Sequence, residues 1–152
     1  MKIKGLHFRK ATQGDSQRLF KWRNDPETRA QSLNTDSVPW ADHKTWFEKT
    51  LSNPDRLLLI AEEEGIPVGT VRIDTKNGEH ELSWTIAPDA RGKGVGTRMV
   101  TQIVQETRKK LFAKIKPDNV ASIKIAEKAG FMPALEKGDT VITKWVFNPP
   151  IQ

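Results

Sequence analysis

The sequence contains no cysteine and no tyrosine. Without cysteine there are no disulfides, no thiolate zinc sites and no thiol nucleophile. Without tyrosine no phenol is available as a proton donor. No apolar run approaches the ~18 residues a membrane-spanning helix needs. Met1-Lys-Ile-Lys-Gly5 is not followed by the apolar stretch of a secretory signal, so a cytoplasmic protein with no membrane partner is expected. His7, His43 and His80 stand far apart and fit no metal-ligand spacing, so no metal is expected. There is no repeat, low-complexity tract or linker.

The 152 residues suit a single domain, 1–152, with room for a real core, although the hydrophobic fraction is only 36%. The net charge of +6 suits either nucleic acid or a small polyanionic ligand. The densest basic patch, Arg108-Lys109-Lys110, falls near the end of a predicted long helix, where cations complement the helix dipole and face water. Stacking aromatics of the RNA-binding kind and zinc-finger ligands are both missing, so no nucleic-acid partner is expected.

The most informative stretch runs from Trp84 to Gly96. Before it, Glu81 to Ile86 alternates polar and apolar, the period of a half-buried strand. After it, Met99, Val100, Ile103, Val104 and Leu111 recur at helical spacing and predict one long amphipathic helix. Between them lie Gly92, Gly94 and Gly96, with Arg91 and Lys93 flanking the first. Glycines let the backbone approach a ligand closely, and the first turn of a helix offers unpaired N–H groups with a partial positive charge. Such a corner binds phosphate well; the plainer reading is a strand–turn–helix corner that needs glycine only for its dihedrals. The spacing is not that of a P-loop, and G-x-G-x-G is not the dinucleotide fingerprint G-x-G-x-x-G.

Leu6 to Arg9 reads as a first strand, and Asp15 as the N-cap of a helix carrying Leu19, Phe20 and Trp22 inward. Pro26 ends that helix. A second helix starts at Ser37-Val38-Pro39, with Trp40, His43, Phe47 and Leu51 on one stripe, where His43 is more simply a packed, hydrogen-bonded residue. Leu57 to Ala61 and Val68 to Asp74 read as strands, separated by a turn at Glu62 to Pro67. Asn77-Gly78 is a hairpin signal leading to the strand of Glu81. Beyond the long helix come a short strand at Ala113 to Lys116, a turn at Pro117-Asp118-Asn119, and a helix from Ala121 to Ala129 closed by Gly130. Phe131 and Thr140 to Phe147, around a Lys137-Gly138-Asp139 turn, supply the last strands. The strand after the long helix should lie parallel to the strand before it.

Two segments taken together carry a resemblance. Arg91-Gly-Lys-Gly-Val-Gly96 after a strand resembles the acetyl-CoA pyrophosphate loop of the GNAT superfamily of N-acetyltransferases. The run from Asn119 through Ser122 to Glu127-Lys128-Ala-Gly130-Phe131 is similar to that superfamily's second signature. The resemblance implies an α/β (α+β) fold: a mostly antiparallel splayed sheet of about six or seven strands flanked by about four helices, with the coenzyme in the V between two parallel strands. It implies acetyl-CoA as co-substrate, held by Arg91, Gly92, Lys93, Gly94, Val95, Gly96 and Thr97 through backbone amides, by main-chain groups near Thr85 and Ile86, and by Asn119 and Ser122. Trp22-Arg-Asn-Asp-Pro-Glu27 with Pro39-Trp40 and His43-x-x-Trp46-Phe47 resembles GNAT domains of bacterial nonulosonic acid synthesis, which act on, or are fused to enzymes that act on, nucleotide-linked deoxy amino sugars. The second signature also resembles the ribosomal-protein N-terminal acetyltransferase branch. Trp22, Arg23, Asn24, His43 and Trp46 are the candidates for the side of a small-molecule amine acceptor, although Arg23 and Asn24 in such a bend also suit plain capping. A non-catalytic binding module on the same fold is the reading of another class. Monomer or homodimer stays open.

Acyl transfer to an amine needs the neutral amine. A lysine-like amine of pKa ~10.4 costs roughly 4 kcal/mol to deprotonate at neutral pH, and an amine of pKa ~8 about 1 kcal/mol. A weak base acting through water suffices for the second kind. Glu81, on the strand entering the loop and with polar alternation partners Ser83 and Thr85, is the candidate base, as the matching Glu is in histone-acetylating relatives; pairing with Arg72 is its plainer role. His80 should point to the other face. Many relatives place a tyrosine acid where this chain has Ala126. A thiol of pKa ~8.5 leaves tolerably unprotonated, and Ser122 or water is the candidate proton source. A strand N–H would hold the oxyanion. With no thiol for an acyl-enzyme, direct attack in a ternary complex is expected.

Overall fold

The computed structural model describes residues 5–134 and 143–150. The predicted Lys137-Gly138-Asp139 turn and the start of the last predicted strand lie outside them. The described residues form one seven-stranded sheet with five α-helices.

The strands β1 (His7–Lys10), β2 (Arg56–Glu63), β3 (Ile66–Lys76) and β4 (Glu79–Ile86) form an antiparallel run. Asn77 and Gly78, at φ 54° and 78°, make the two-residue turn that joins β3 to β4. Glu64 and Gly65, both at positive φ, turn β2 into β3, so these strands run longer than the polar segment between them predicts.

The helix α1 (Ser16–Asn24) follows the first strand. Asp15 precedes it but does not cap it with its side chain. Its buried carboxylate turns back to the Thr12 amide at 2.8 Å and pairs with Arg9 and Arg18 at 2.8 and 2.7 Å. Those partners, Arg9 first, hold the carboxyl below the usual carboxylate range. Pro26 does end α1, but it also opens α2 (Pro26–Gln31), a helix absent from the sequence reading. Asp25 caps it by accepting from the Thr28 amide, and proline at N1 costs no hydrogen bond. The helix α3 (Trp40–Ser52) carries buried His43, Phe47 and Thr50.

The helix α4 (Val95–Thr107) buries Met99, Val100, Ile103 and Val104. Leu111, expected on that stripe, instead starts strand β5 (Leu111–Ile115), because Arg108 takes a left-handed conformation and stops the helix. The helix α5 (Val120–Ala129) is capped by the Asn119 side chain and closed by Gly130 at φ 98°. β6 (Met132–Pro133) and β7 (Thr143–Phe147) complete the sheet, whose order is β1-β2-β3-β4-β5-β7-β6.

The feature that positions everything else is the junction of β4 and β5. They are parallel, as expected, yet only Glu81 and Phe112 are in register. β3 and β4 pair over eight residues each, and β5 and β7 over five. Past Glu81 the two central strands therefore part, and the sheet opens as a V.

Candidate active site

Alternation assigns the faces of β4. Glu81, Ser83 and Thr85 lie opposite Asp74, Arg72 and Thr70 of β3 and share one face with them, a polar stripe. The other face carries Gly69, against which Met99 of α4 packs so tightly that a Cβ would lie 2.5 Å from its sulfur. The Ala87 amide donates to the Val68 carbonyl at 2.8 Å. By alternation the main-chain groups of Thr85 also turn to β3, while those of Trp84 and Ile86 face the gap left by β5.

At the head of the gap the chain makes a short turn at Pro88–Ala90 and then enters the glycine loop. Gly94 sits in the left-handed region at φ 75°, as does Gly92 at 74°, and neither would meet an atom within 4 Å if given a Cβ. Both glycines line a cleft, so the open space above them lies over a bed of backbone. Gly94 is also the N-cap of α4 and has no side chain to cap it, so the first amides of that helix point into the bed with no side-chain acceptor. Gly96 is different: a Cβ there would lie 2.4 Å from Ile125 Cδ1 and 2.6 Å from Ile86 Cδ1. It lets α4 start wedged between β4 and α5.

A cleft of about 680 Å³ runs along this gap. Its walls include Glu81 and Ser83 from the polar face of β4, Gly92, Gly94, Gly96 and Thr97 of the loop and helix, and Asn119 and Ser122 of α5. Val95 and Ile86 line it as well, as does Arg91, while Lys93 is exposed and faces a different surface beside Glu63. The Arg91 guanidinium is tied to α2, pairing with Asp25, with Glu27 at 3.1 Å and with the Thr28 hydroxyl at 2.9 Å. Arg91 holds the Asp25 carboxyl below the usual range, chiefly by that hydrogen bond. On the opposite arm of the V, Lys116 Nζ donates to the Ala30 carbonyl at 3.1 Å. The helix α2 thus spans the cleft mouth, clasped from both sides, and the sequence signal for it was Asp25-Pro26-x-Thr28.

A second cavity of about 350 Å³ lies on the polar face, under α1 and α3. Leu19, His43, Trp46, Leu58 and Thr70 line it, and it shares Arg23, Arg72, Ser83, Trp84 and Thr85 with the larger cleft. The two cavities therefore meet along β4. Of the acceptor-side candidates, Arg23, His43 and Trp46 are brought together here. Trp22 is buried in the core and Asn24 is not on this wall; its amide clamps the backbone of Val38, donating at 2.9 Å and accepting at 2.7 Å. His43 is 3% exposed, with Nε2 2.9 Å from the Ser16 carbonyl, and burial pushes its pKa down. Arg72 does not pair with Glu81. It bonds Asp74 at 3.0 Å and stacks 5.4 Å from the Trp46 ring centroid, a wall the sequence did not disclose. The Glu81 carboxylate has no ion-pair or hydrogen-bond partner among the described residues. His80 is engaged with Thr75 at 2.8 Å. Ala126 is fully buried.

The sequence matches the acetyltransferase (GNAT) domain family over residues 6–132. The chain belongs to that family. A ribosomal-protein-alanine N-acetyltransferase from Brucella melitensis is 25% identical in sequence, with a TM-score of 0.74 over 94% of this chain and 99% of that one. The structure of the acetyltransferase AAC(6')-Ib in complex with paromomycin and acetyl-CoA shares the fold at 20% identity, with a TM-score of 0.82 over 96% and 94% of the two chains. An uncharacterised Methanocaldococcus jannaschii protein is 27% identical over 149 residues, 93% of this chain. The chain spans about 30% of that relative's length.

Proposed function

We propose that residues 1–152 act as one acetyltransferase domain that moves an acetyl group from acetyl-CoA to a primary amine, with nucleotide-linked amino sugars the first candidate acceptors. The observation that carries this reading is the meeting of two cavities along β4, one running to an uncapped helix start and the other walled by α1 and α3. Acetyl-CoA supplies the activated acyl group. The chain's own residues bind and orient it: amides from Arg91 to Thr97 hold the pyrophosphate, and main-chain groups of Trp84 and Ile86 continue the sheet along the pantetheine arm. The Asn119 side-chain oxygen caps α5 by accepting from the Ser122 amide at 3.2 Å, which leaves its NH₂ for that arm.

The acceptor enters between α1 and α3, with Arg23, His43 and Trp46 around it. Glu81, unpaired at the foot of the gap, takes the amine proton through water. An N–H at the gap-facing edge of β4 receives the carbonyl oxygen as charge develops. The thiolate leaves with Ser122 or water as proton source, since Ala126 offers nothing. Direct attack fits a chain without a thiol.

A second reading, acetylation of a protein N-terminus, draws support from the Brucella neighbour. Mass spectrometry of an amine library incubated with acetyl-CoA separates the two. The first reading expects acetylated amino sugars, and acetylation confined to peptide N-termini would replace it. Glu81→Gln should lower kcat by about 10²-fold or more at neutral pH. A rate within a few-fold of wild type across pH would remove Glu81 from the mechanism.

A further inference from the structure

The smaller cavity is unbalanced in charge. Arg23 and Arg72 both line it, and Asp42 is the one carboxylate on its wall. Arg72 is accounted for by Asp74 and Trp46. Arg23 is not. Its Nη2 donates to the Asn34 carbonyl at 2.9 Å, while Nη1 is closed off from solvent and donates to nothing among the described residues. No carboxylate pairs with it in the same set. Burial, and then repulsion from Arg29, push its pKa below the ordinary arginine value. A guanidinium desolvated in this way, with part of its fork unused, calls for an anionic partner. The surrounding chain holds it in place: Arg29 Nε donates to the Thr35 carbonyl at 3.2 Å, and Asn24 clamps Val38. The segment whose Asn34 carbonyl anchors Nη2 is therefore fixed before any ligand arrives.

The missing anion does not come from the coenzyme as placed above. Its phosphates lie at the glycine loop, and the acetyl end that reaches β4 carries no charge. We propose that Arg23 binds an oxyanion, carboxylate or phosphate, carried by the acceptor itself, so that this pocket selects anionic amines and disfavours polycationic ones. This rests on the reading of the smaller cavity as the acceptor's. It also separates this chain from the fold neighbour solved with paromomycin, an amine-rich ligand.

The test measures binding by calorimetry to the protein saturated with coenzyme A, so that it does not depend on turnover. Matched probes are glucosamine against glucosamine 6-phosphate, and glutamine amide against glutamine, with a uridine diphosphate-linked amino sugar and spermidine beside them. The anionic member of a pair should bind roughly tenfold tighter or more, the yield of one charge-assisted hydrogen bond. Preference for phosphate or for carboxylate tells the two sources apart. Arg23→Gln should abolish the preference and leave the acetyl-CoA Kd unchanged, and Arg23→Lys should keep part of it. Equal or tighter binding of glucosamine, glutamine amide or spermidine, or no binding of any probe that carries a phosphate or carboxylate at millimolar concentration, overturns the inference. So does an Arg23→Gln protein that loses acetyl-CoA as strongly as acceptor, or a wild type that prefers succinyl-CoA to acetyl-CoA through Arg23. If no amine is acetylated but the Arg23-dependent preference persists, acetyl transfer fails and the anion site stands. Acetylation without preference gives the reverse.

Discussion

Two of the loop glycines do different work, and substitution separates them. Alanine at 94 must adopt a left-handed conformation at φ 75°, which costs about 1–2 kcal/mol. It fills no neighbour's space, so its effect should be confined to the loop and to acetyl-CoA affinity. Alanine at 96 would press on Ile86 and Ile125 and should cost about 1–3 kcal/mol by overpacking, measured by urea unfolding without ligand. A Gly96→Ala protein as stable as wild type would contradict this packing. At His43, burial depresses the pKa in the fold, so the unfolded chain takes up the proton first. Stability from this residue is complete above the ordinary value of 6.5 and is lost as pH falls below it. The wild type should therefore lose more stability than His43→Gln between pH 7.5 and about 5; parallel curves would show that the histidine titrates no differently when folded.

The helix α2 is the element whose role depends most on its ends. Asp25 caps it and also receives Arg91 from the glycine loop, so one carboxylate joins the roof of the cleft to its floor. Asp25→Ala and Arg91→Ala should each cost about 1–2 kcal/mol, and the double variant less than their sum, as a double-mutant cycle by urea unfolding would record. Strict additivity would mean that the clasp contributes nothing. This helix also marks the limit of what the sequence discloses. The glycine loop, the Asn77-Gly78 hairpin and the α5 signature are set by local backbone needs and are legible residue by residue. Pro26 carries two local messages, stop and start, and the start shows only once Asp25 is seen to cap the turn that follows. Leu111 fits the helical stripe of α4 perfectly well, and it took Arg108 in a left-handed conformation to move it into β5. Asp15 looks like a cap, yet two arginines and the Thr12 amide compete for it. On the site, Arg23, His43 and Trp46 were legible as candidates, whereas Arg72, the wall of β3 and the α2 roof arise from strand register and long-range clasps that no window of sequence contains.

At the scale of the molecule, function depends on an interruption. Four antiparallel strands deliver β4, a helix crossover returns β5 parallel to it, and after the single registered pair of Glu81 and Phe112 the strands part. That parting frees one edge of β4 toward the larger cleft, while Ser83 and Thr85 of its polar stripe line both cavities. On the proposed reading, coenzyme and acceptor meet along this strand, where the two cavities share Ser83, Trp84 and Thr85. The most direct measurement is a crystal structure of the complex with coenzyme A. The account predicts pyrophosphate on the amides between Arg91 and Thr97, the pantetheine arm hydrogen-bonded to the main chain of Trp84 and Ile86, and the sulfur at the junction with the smaller cavity. Coenzyme density elsewhere, or β4 and β5 paired along their whole length, would contradict it.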